Sequence, residues 1–137
     1  MKPFLLAGTI ATLSVAPAVR ASAQAMQLPS TPAGRAVQGW LHAVNSADSV
    51  LMRAFGRDSM VPVGTDSSWA SRRAEALVKF HAIFGEATPE LIRASSDTEL
   101  SLVMRSGKDG SSNLFMFYTE PAAPYRLAAI FHVGAPR

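Results

Sequence analysis

The stretch WLHAVNSADSVLMRAF, residues 40–55, decides how the chain begins to fold. Upstream of its polar centre, residues 45–48, apolar side chains recur at the spacing of one helical face: Val37, Trp40, Leu41 and Val44. Asp48 stands where a helix N-cap accepts hydrogen bonds from exposed N–H groups. Leu51 and Phe55 then define a second, shorter apolar face. The stretch therefore predicts two consecutive helices joined by a polar turn.

Capping residues extend this prediction in both directions. Thr31-Pro32 indicates a helix start, because threonine can cap and proline at the first helical position loses no needed N–H. Gly56 is expected to end the second helix. Asp66-Ser67-Ser68 is expected to cap a third and longest helix, Trp69–Phe84, which Gly85 stops. Its predicted apolar arc comprises Trp69, Arg73, Ala76, Leu77, Phe80, Ile83 and Phe84.

After the third helix the apolar period changes from 3.6 residues to two, which indicates strands. The predicted strands cover residues 90–95, 98–105, 114–119 and 125–133. Residues 107–110, GKDG, have the chemistry of a hairpin turn, and residues 57–65 have room for a short edge strand. Three helices followed by an antiparallel meander predict an α+β domain, with the helices packed on a curved antiparallel sheet of about four strands.

The start of the chain has the composition of a secretory signal segment. Lys2 supplies a positive charge, residues 3–19 are apolar or small, and small-x-small cleavage sites end at Ala23 and Ala25. The apolar run falls short of the roughly 20 residues that a membrane span requires. We therefore expect cleavage and export to the periplasm or the extracellular space, with membrane contact only through the uncleaved segment.

Cleavage changes the electrostatic interpretation of the chain. The 13 basic and 10 acidic residues give a net charge of +3, and loss of Lys2 and Arg20 lowers it to +1. A near-neutral domain disfavours nucleic-acid binding, and the absence of cysteine excludes disulfides and thiol catalysis. The sequence is interpreted as a signal peptide, a flexible lead-in and a single α+β domain, over residues 1–23, 24–30 and 31–137.

The sequence lacks the motifs of several enzyme classes. It has no Gly-x-Ser-x-Gly elbow, no Ser-x-x-Lys pair, no His-Glu-x-x-His and no glycine-rich phosphate loop. The histidines His42, His81 and His132 show no metal-ligand spacing with carboxylates, so neither a metal nor a cofactor is expected. His132 lies on a strand face that can point into a cavity.

The opening of the domain resembles a small domain of exported bacterial proteins. The residues that carry the resemblance are Thr31-Pro32-Ala33-Gly34-Arg35, Trp40-Leu41, Ala43, Asn45-Ser46, Asp48, Leu51 and Phe55. That domain often precedes a serine hydrolase of the β-lactamase type or a tail-specific-protease-like peptidase. The resemblance implies a nuclear-transport-factor-2-like (cystatin-like) fold. The family's turn usually reads Asn-Ser-Gly-Asp, and Ala47 in place of the glycine predicts a turn without positive φ.

The resemblance implies an exported non-catalytic binding or interaction domain, here without the catalytic domain. Its implied partner is a separately encoded exported hydrolase or a small ligand. The alternative is a small cofactor-free isomerase or lyase, because relatives of this fold use an acid–base pair in the pocket between the long helix and the sheet. That alternative requires Asp66 and His132. The pocket candidates are Trp69, Arg73, Tyr118, Arg126 and His132.

Each candidate also has a structural interpretation. Asp66 is placed to cap a helix. Trp69 and Tyr118 fit core aromatic residues with one polar atom, and Arg73 and Arg126 fit long side chains whose charges reach solvent from the edge of the core.

Overall fold

The computed structural model describes residues 26–134. The signal segment predicted at residues 1–23 lies outside the described residues. The elements are, in chain order, α1 (Pro32–Asn45), α2 (Ser49–Asp58), α3 (Trp69–Phe84), β1 (Ala87–Ser95), β2 (Glu99–Ser106), β3 (Ser112–Thr119) and β4 (Leu127–Val133). The strands form one antiparallel sheet in the order β1-β2-β3-β4, which confirms the predicted α+β class. Within these residues, no helix combines the length and the apolar character needed to cross a bilayer.

The first two helices begin where their capping residues predict. Oγ1 of Thr31 accepts a hydrogen bond from the N–H of Gly34 at 3.1 Å. Oδ1 of Asp48 accepts one from the N–H of Val50 at 2.8 Å. These bonds satisfy N–H groups that a helix start leaves unpaired. The predicted apolar face of α1 is buried through Val37, Trp40, Leu41 and Val44.

Gly56 does not end α2, so that prediction is wrong. The helix continues to Asp58 with the glycine inside it. A Cβ at Gly56 would lie 3.3 Å from Cβ of Arg73 and 3.4 Å from the backbone N of Ala74. Glycine stands here because α2 and α3 approach each other closely, and a side chain would crowd that contact.

The third helix has the predicted bounds but a narrower buried face. It ends at Gly85, whose φ of 72° is a left-handed conformation that glycine adopts without strain. Leu77 and Ala74 are buried, whereas Ile83 is 79% exposed and was wrongly placed in the apolar arc. α2 packs against the side of α3 that carries Ala74, so the buried face of α3 points away from Ile83.

The outer two strands begin at different residues than predicted. β1 begins at Ala87 instead of residue 90, and β4 begins at Leu127 instead of residue 125. Tyr125 has a φ of 55°, which takes it out of the extended backbone. In the connector before α3, Met60 forms a single parallel bridge to Leu127, so this segment touches the sheet edge without forming a strand.

One face of the sheet packs against the helices to form the core. Leu102 pairs with Phe115 and Leu100 with Phe117 across β2 and β3, and all four side chains are buried. The ring of Trp40 meets this layer, with its centroid 5.1 Å from that of Phe117. Aromatic burial of this kind contributes strongly to core stability.

Asn45 connects the end of α1 to the edge of the sheet. Its Nδ2 donates to the carbonyl O of Ala87 at 2.9 Å, and its Oδ1 accepts from the N–H of Ala87 at 2.8 Å. β1 is an edge strand, whose outward N–H and C=O groups need partners from outside the sheet. The Asn45 amide therefore takes the place of a neighbouring strand, a role that turn chemistry alone does not reveal.

Ala47 contradicts the prediction of a turn without positive φ. Its φ is 54°, in the left-handed region. There the Cβ of an L-residue lies too close to the following carbonyl oxygen, at a cost of roughly 1–2 kcal/mol. The turn thus has the backbone that a glycine in an Asn-Ser-Gly-Asp turn adopts freely.

Replacing Ala47 by glycine is expected to stabilise the protein by about 1 kcal/mol, because glycine removes the left-handed penalty. Urea unfolding measures the change. Ala82 is exposed inside α3, so the control Ala82→Gly is expected to lose roughly 0.5–1 kcal/mol. Destabilisation of both variants to the same extent would contradict the conformation at Ala47.

Asn45→Asp is expected to destabilise the protein by about 1–3 kcal/mol at neutral pH. The carboxylate can still accept from the N–H of Ala87 but cannot donate to its carbonyl. Below about pH 4, the usual pKa of an aspartate, the protonated group donates again and part of the loss is recovered. Asn45→Ala, which cannot titrate, should show the same loss at both pH values. Wild-type stability of Asn45→Asp at neutral pH would refute the role of this link.

Candidate ligand cavity

A cavity of about 280 Å³ lies between α3 and the helix-facing side of the sheet. Its lining residues are Trp40, Met60, Arg73, Ala76, Leu77, Phe80, Phe115, Ile130 and His132. The four from α3 are spaced i, i+3, i+4 and i+7 from Arg73, so they lie on one face of the helix. The sheet supplies the opposite wall from β3 and β4.

The sheet register determines which residues of β4 face this cavity. His132 pairs with Phe115 and Ile130 pairs with Phe117, so both share the helix-facing side of the sheet. The ring of His132 stacks on that of Phe115, with centroids 4.6 Å apart and planes 11° apart. Nε2 of His132 lies 3.1 Å from Oδ1 of Asn113.

Arg73 brings a positive charge to the cavity. Its Nη1 lies 3.9 Å from Sδ of Met60, and its Nη2 donates to the carbonyl O of Val61 at 3.3 Å. The second contact is long for an N–H···O hydrogen bond, and neither partner is an anion. No ion pair of Arg73 occurs within residues 26–134. Because a guanidinium has five N–H donors, several remain available to a ligand.

Trp40 lines the cavity and carries a buried N–H group. The residue is 2% exposed, and its indole Nε1–H has no hydrogen-bond partner in the described part of the chain. Leaving a buried donor unsatisfied costs about 1–3 kcal/mol, so such a group needs an explanation. Nδ1 of His81 also lacks a partner there, but His81 does not line the cavity.

Of the five predicted pocket residues, the structure brings Arg73 and His132 together in this cavity. Trp69 lies outside it. That side chain lines a neighbouring recess, which shares Arg73 and Ala76 with the cavity.

The other two predicted pocket residues lie elsewhere. Tyr118 is on the opposite face of the sheet, where its ring lies 5.8 Å from that of Phe131. Arg126 lines a different cavity beside α1 and α2. Its guanidinium pairs with Glu120 at 2.8 Å, and the hydrogen bond from this side chain is the main cause that lowers the pKa of Glu120.

Two lining residues have no functional signal in the sequence pattern. Trp40 belongs to the apolar face of α1, and Met60 belongs to the connector before α3. Tertiary contacts bring both to the cavity, since Met60 bridges Leu127 of β4. The one available hint is that a tryptophan in an apolar stripe carries an N–H that needs a partner once it is buried.

Asp66 lies just before α3 and is not among the residues that line the cavity. Its carboxylate accepts from the N–H of Ser68 at 2.9 Å, from the Ser68 hydroxyl, and from Nη1 of Arg72 at 3.0 Å. The bond from the Ser68 hydroxyl is the largest cause that lowers the pKa of Asp66 to about 2, followed by the backbone N–H and Arg72. The acid–base pair of the enzyme hypothesis is therefore not assembled in this cavity.

The lining residues combine apolar walls with N–H donors. Among the residues that the structure describes, neither Asp nor Glu lines the cavity. Within the same range, no group of three or more His, Cys, Asp or Glu side chains could hold a metal ion. The arrangement suits binding of a ligand that presents hydrogen-bond acceptors.

Comparisons with known proteins do not assign this chain to a family. No family model matches the chain, and neither does any curated protein or solved structure. Function must therefore be inferred from the cavity's own residues.

Asp66→Asn is expected to change the acid sensitivity of the fold. Because the folded pKa is lowered, ionised Asp66 stabilises the protein above about pH 4, and this stabilisation is lost as the pH falls towards about 2. The deficit of Asp66→Asn in thermal unfolding should thus be present at neutral pH and disappear in acid. Ser68→Ala, which removes one donor, should show a weaker pH dependence than wild type. A deficit that does not change with pH would contradict this account.

Proposed function

We propose that the protein is an exported, non-catalytic binding domain that takes a small, largely apolar ligand into the cavity between α3 and the sheet. The composition of the cavity carries this proposal: apolar side chains form the walls, and a few N–H donors stand among them. Ligand sites commonly have this composition. At about 280 Å³, and with a water molecule occupying about 30 Å³ of liquid, the ligand has on the order of ten non-hydrogen atoms.

The sequence supports the same role. Its first 23 residues have the composition of a signal segment. The opening of the domain resembles an accessory domain of exported hydrolases, and the order of helices and strands agrees with a nuclear-transport-factor-2-like fold. Resemblance to an accessory domain favours a binding role over a catalytic one. It also implies a protein partner, which would be a separately encoded exported hydrolase.

A proton-transfer role has less support than binding. General acid–base catalysis needs groups within hydrogen-bond reach of the reacting atoms. Of the nine lining residues, His132 and Arg73 carry ionisable groups, and a guanidinium does not give up its proton in proteins. Asp66 is held by Ser68 and Arg72 instead.

Titration of the ¹⁵N-labelled protein with octan-1-ol, octanoate and octylamine tests for binding. We expect saturable shifts in the amide signals of the lining residues with at least one probe. Ala76 lines the cavity and is exposed, so Ala76→Trp should fill the entrance and weaken binding by roughly tenfold or more, which is about 1.4 kcal/mol.

Ala82→Trp provides the matched control. Ala82 is exposed on the same helix but does not line the cavity, so this variant should bind like the wild type. Absence of saturable binding with all three probes would overturn the proposed function.

A further inference from the structure

We infer that the ligand carries a carboxylate, so that the cavity takes a small amphipathic carboxylic acid whose head group is held by Arg73. This inference rests on the proposed function and specifies its ligand class. The apolar body of the acid would lie against Met60, Leu77, Phe80, Phe115 and Ile130.

Arg73 supplies the charge that selects an anion. Its contacts to Met60 and Val61 are both to neutral atoms, and within the described range it has no carboxylate partner. A planar guanidinium matches the two oxygens of a carboxylate with parallel hydrogen bonds. A neutral ligand would leave this charge without a counter-ion, and a cationic ligand would be repelled.

Trp40 lines the same cavity and is a buried residue. The indole N–H can only donate, and it has no partner in the part of the chain that the structure describes although the residue is 2% exposed. Because Trp40 lines the cavity, its indole signal reports a ligand that is bound there.

The single cation favours a carboxylate over a phosphate monoester. A phosphate monoester carries about −1.5 to −2 charges at neutral pH, whereas Arg73 is the one Lys or Arg among the lining residues. The excess negative charge would then be buried against apolar walls without a partner, which is unfavourable. A carboxylate matches the one guanidinium charge for charge.

Four alkyl probes with different head groups test this assignment: octanoate, octan-1-ol, octylamine and octyl phosphate. The chain has two tryptophans, Trp40 and Trp69, so a Trp69→Phe background leaves one indole N–H signal in the ¹⁵N spectrum. We expect octanoate to bind at least roughly tenfold more tightly than octan-1-ol, the factor that one charge-assisted hydrogen bond supplies. Octanoate should also shift the Trp40 indole signal.

Variants of the adjacent arginines separate charge from packing. Arg73→Met is expected to weaken octanoate binding by roughly tenfold or more and to leave octan-1-ol binding nearly unchanged. Arg73→Lys should retain part of the preference for octanoate. It replaces Arg73→Met as the test of the charge if the methionine variant does not fold. Arg72 pairs with Asp66 and does not line the cavity, so Arg72→Met should bind octanoate like the wild type.

Each contrary result has a distinct meaning. Equal affinity for octanoate and octan-1-ol would overturn the carboxylate assignment and leave the proposed function intact. Tighter binding of octylamine or octyl phosphate, or unchanged octanoate affinity in a folded Arg73 variant, overturns it as well. If octanoate, octan-1-ol and octylamine all fail to bind, the proposed function fails and this inference fails with it.

Discussion

The two hydrogen bonds between the Asn45 amide and the backbone of Ala87 fix the end of α1 against the edge of the sheet. α1 carries Trp40 little more than one helical turn earlier, and the sheet carries Phe115 and His132. The link therefore sets where the indole lies relative to the strands. Since the cavity occupies the space between them, its shape depends on a contact that is not part of its lining.

Most of the fold is predictable from the sequence because its signals are local. Thr31 and Asp48 bind N–H groups two or three residues away, and alternation along β2 indicates its buried face. The Asn45–Ala87 link spans 42 residues, so nothing near Asn45 separates it from an ordinary turn amide. The role of Gly56 is ambiguous for a related reason. The sequence does not distinguish a glycine that ends a helix from one inside a helix that lets a second helix pack closely.

The site is less predictable than the fold because it depends on which face of each strand turns inward. Residues 114–118 are apolar or aromatic at successive positions, so alternation does not tell whether Tyr118 or Phe117 faces the helices. The pairing of Phe115 with His132 decides it and places Tyr118 on the outer face. Arg73 is predictable, by contrast, since it shares a helical face with Leu77 and Phe80.

The arginines of the described residues differ in their surroundings. Four of the eight pair with a neighbouring carboxylate, and of the other four, Arg35, Arg53 and Arg93 are exposed whereas Arg73 is partly buried. Arg73 follows Arg72 directly in α3, but the helical face required by Leu77 and Phe80 turns it towards the cavity. There it is half-buried and meets a thioether and a carbonyl. A cation held in apolar surroundings without an anion is unfavourable, so the proposal of an acidic ligand rests on the same packing that builds the core.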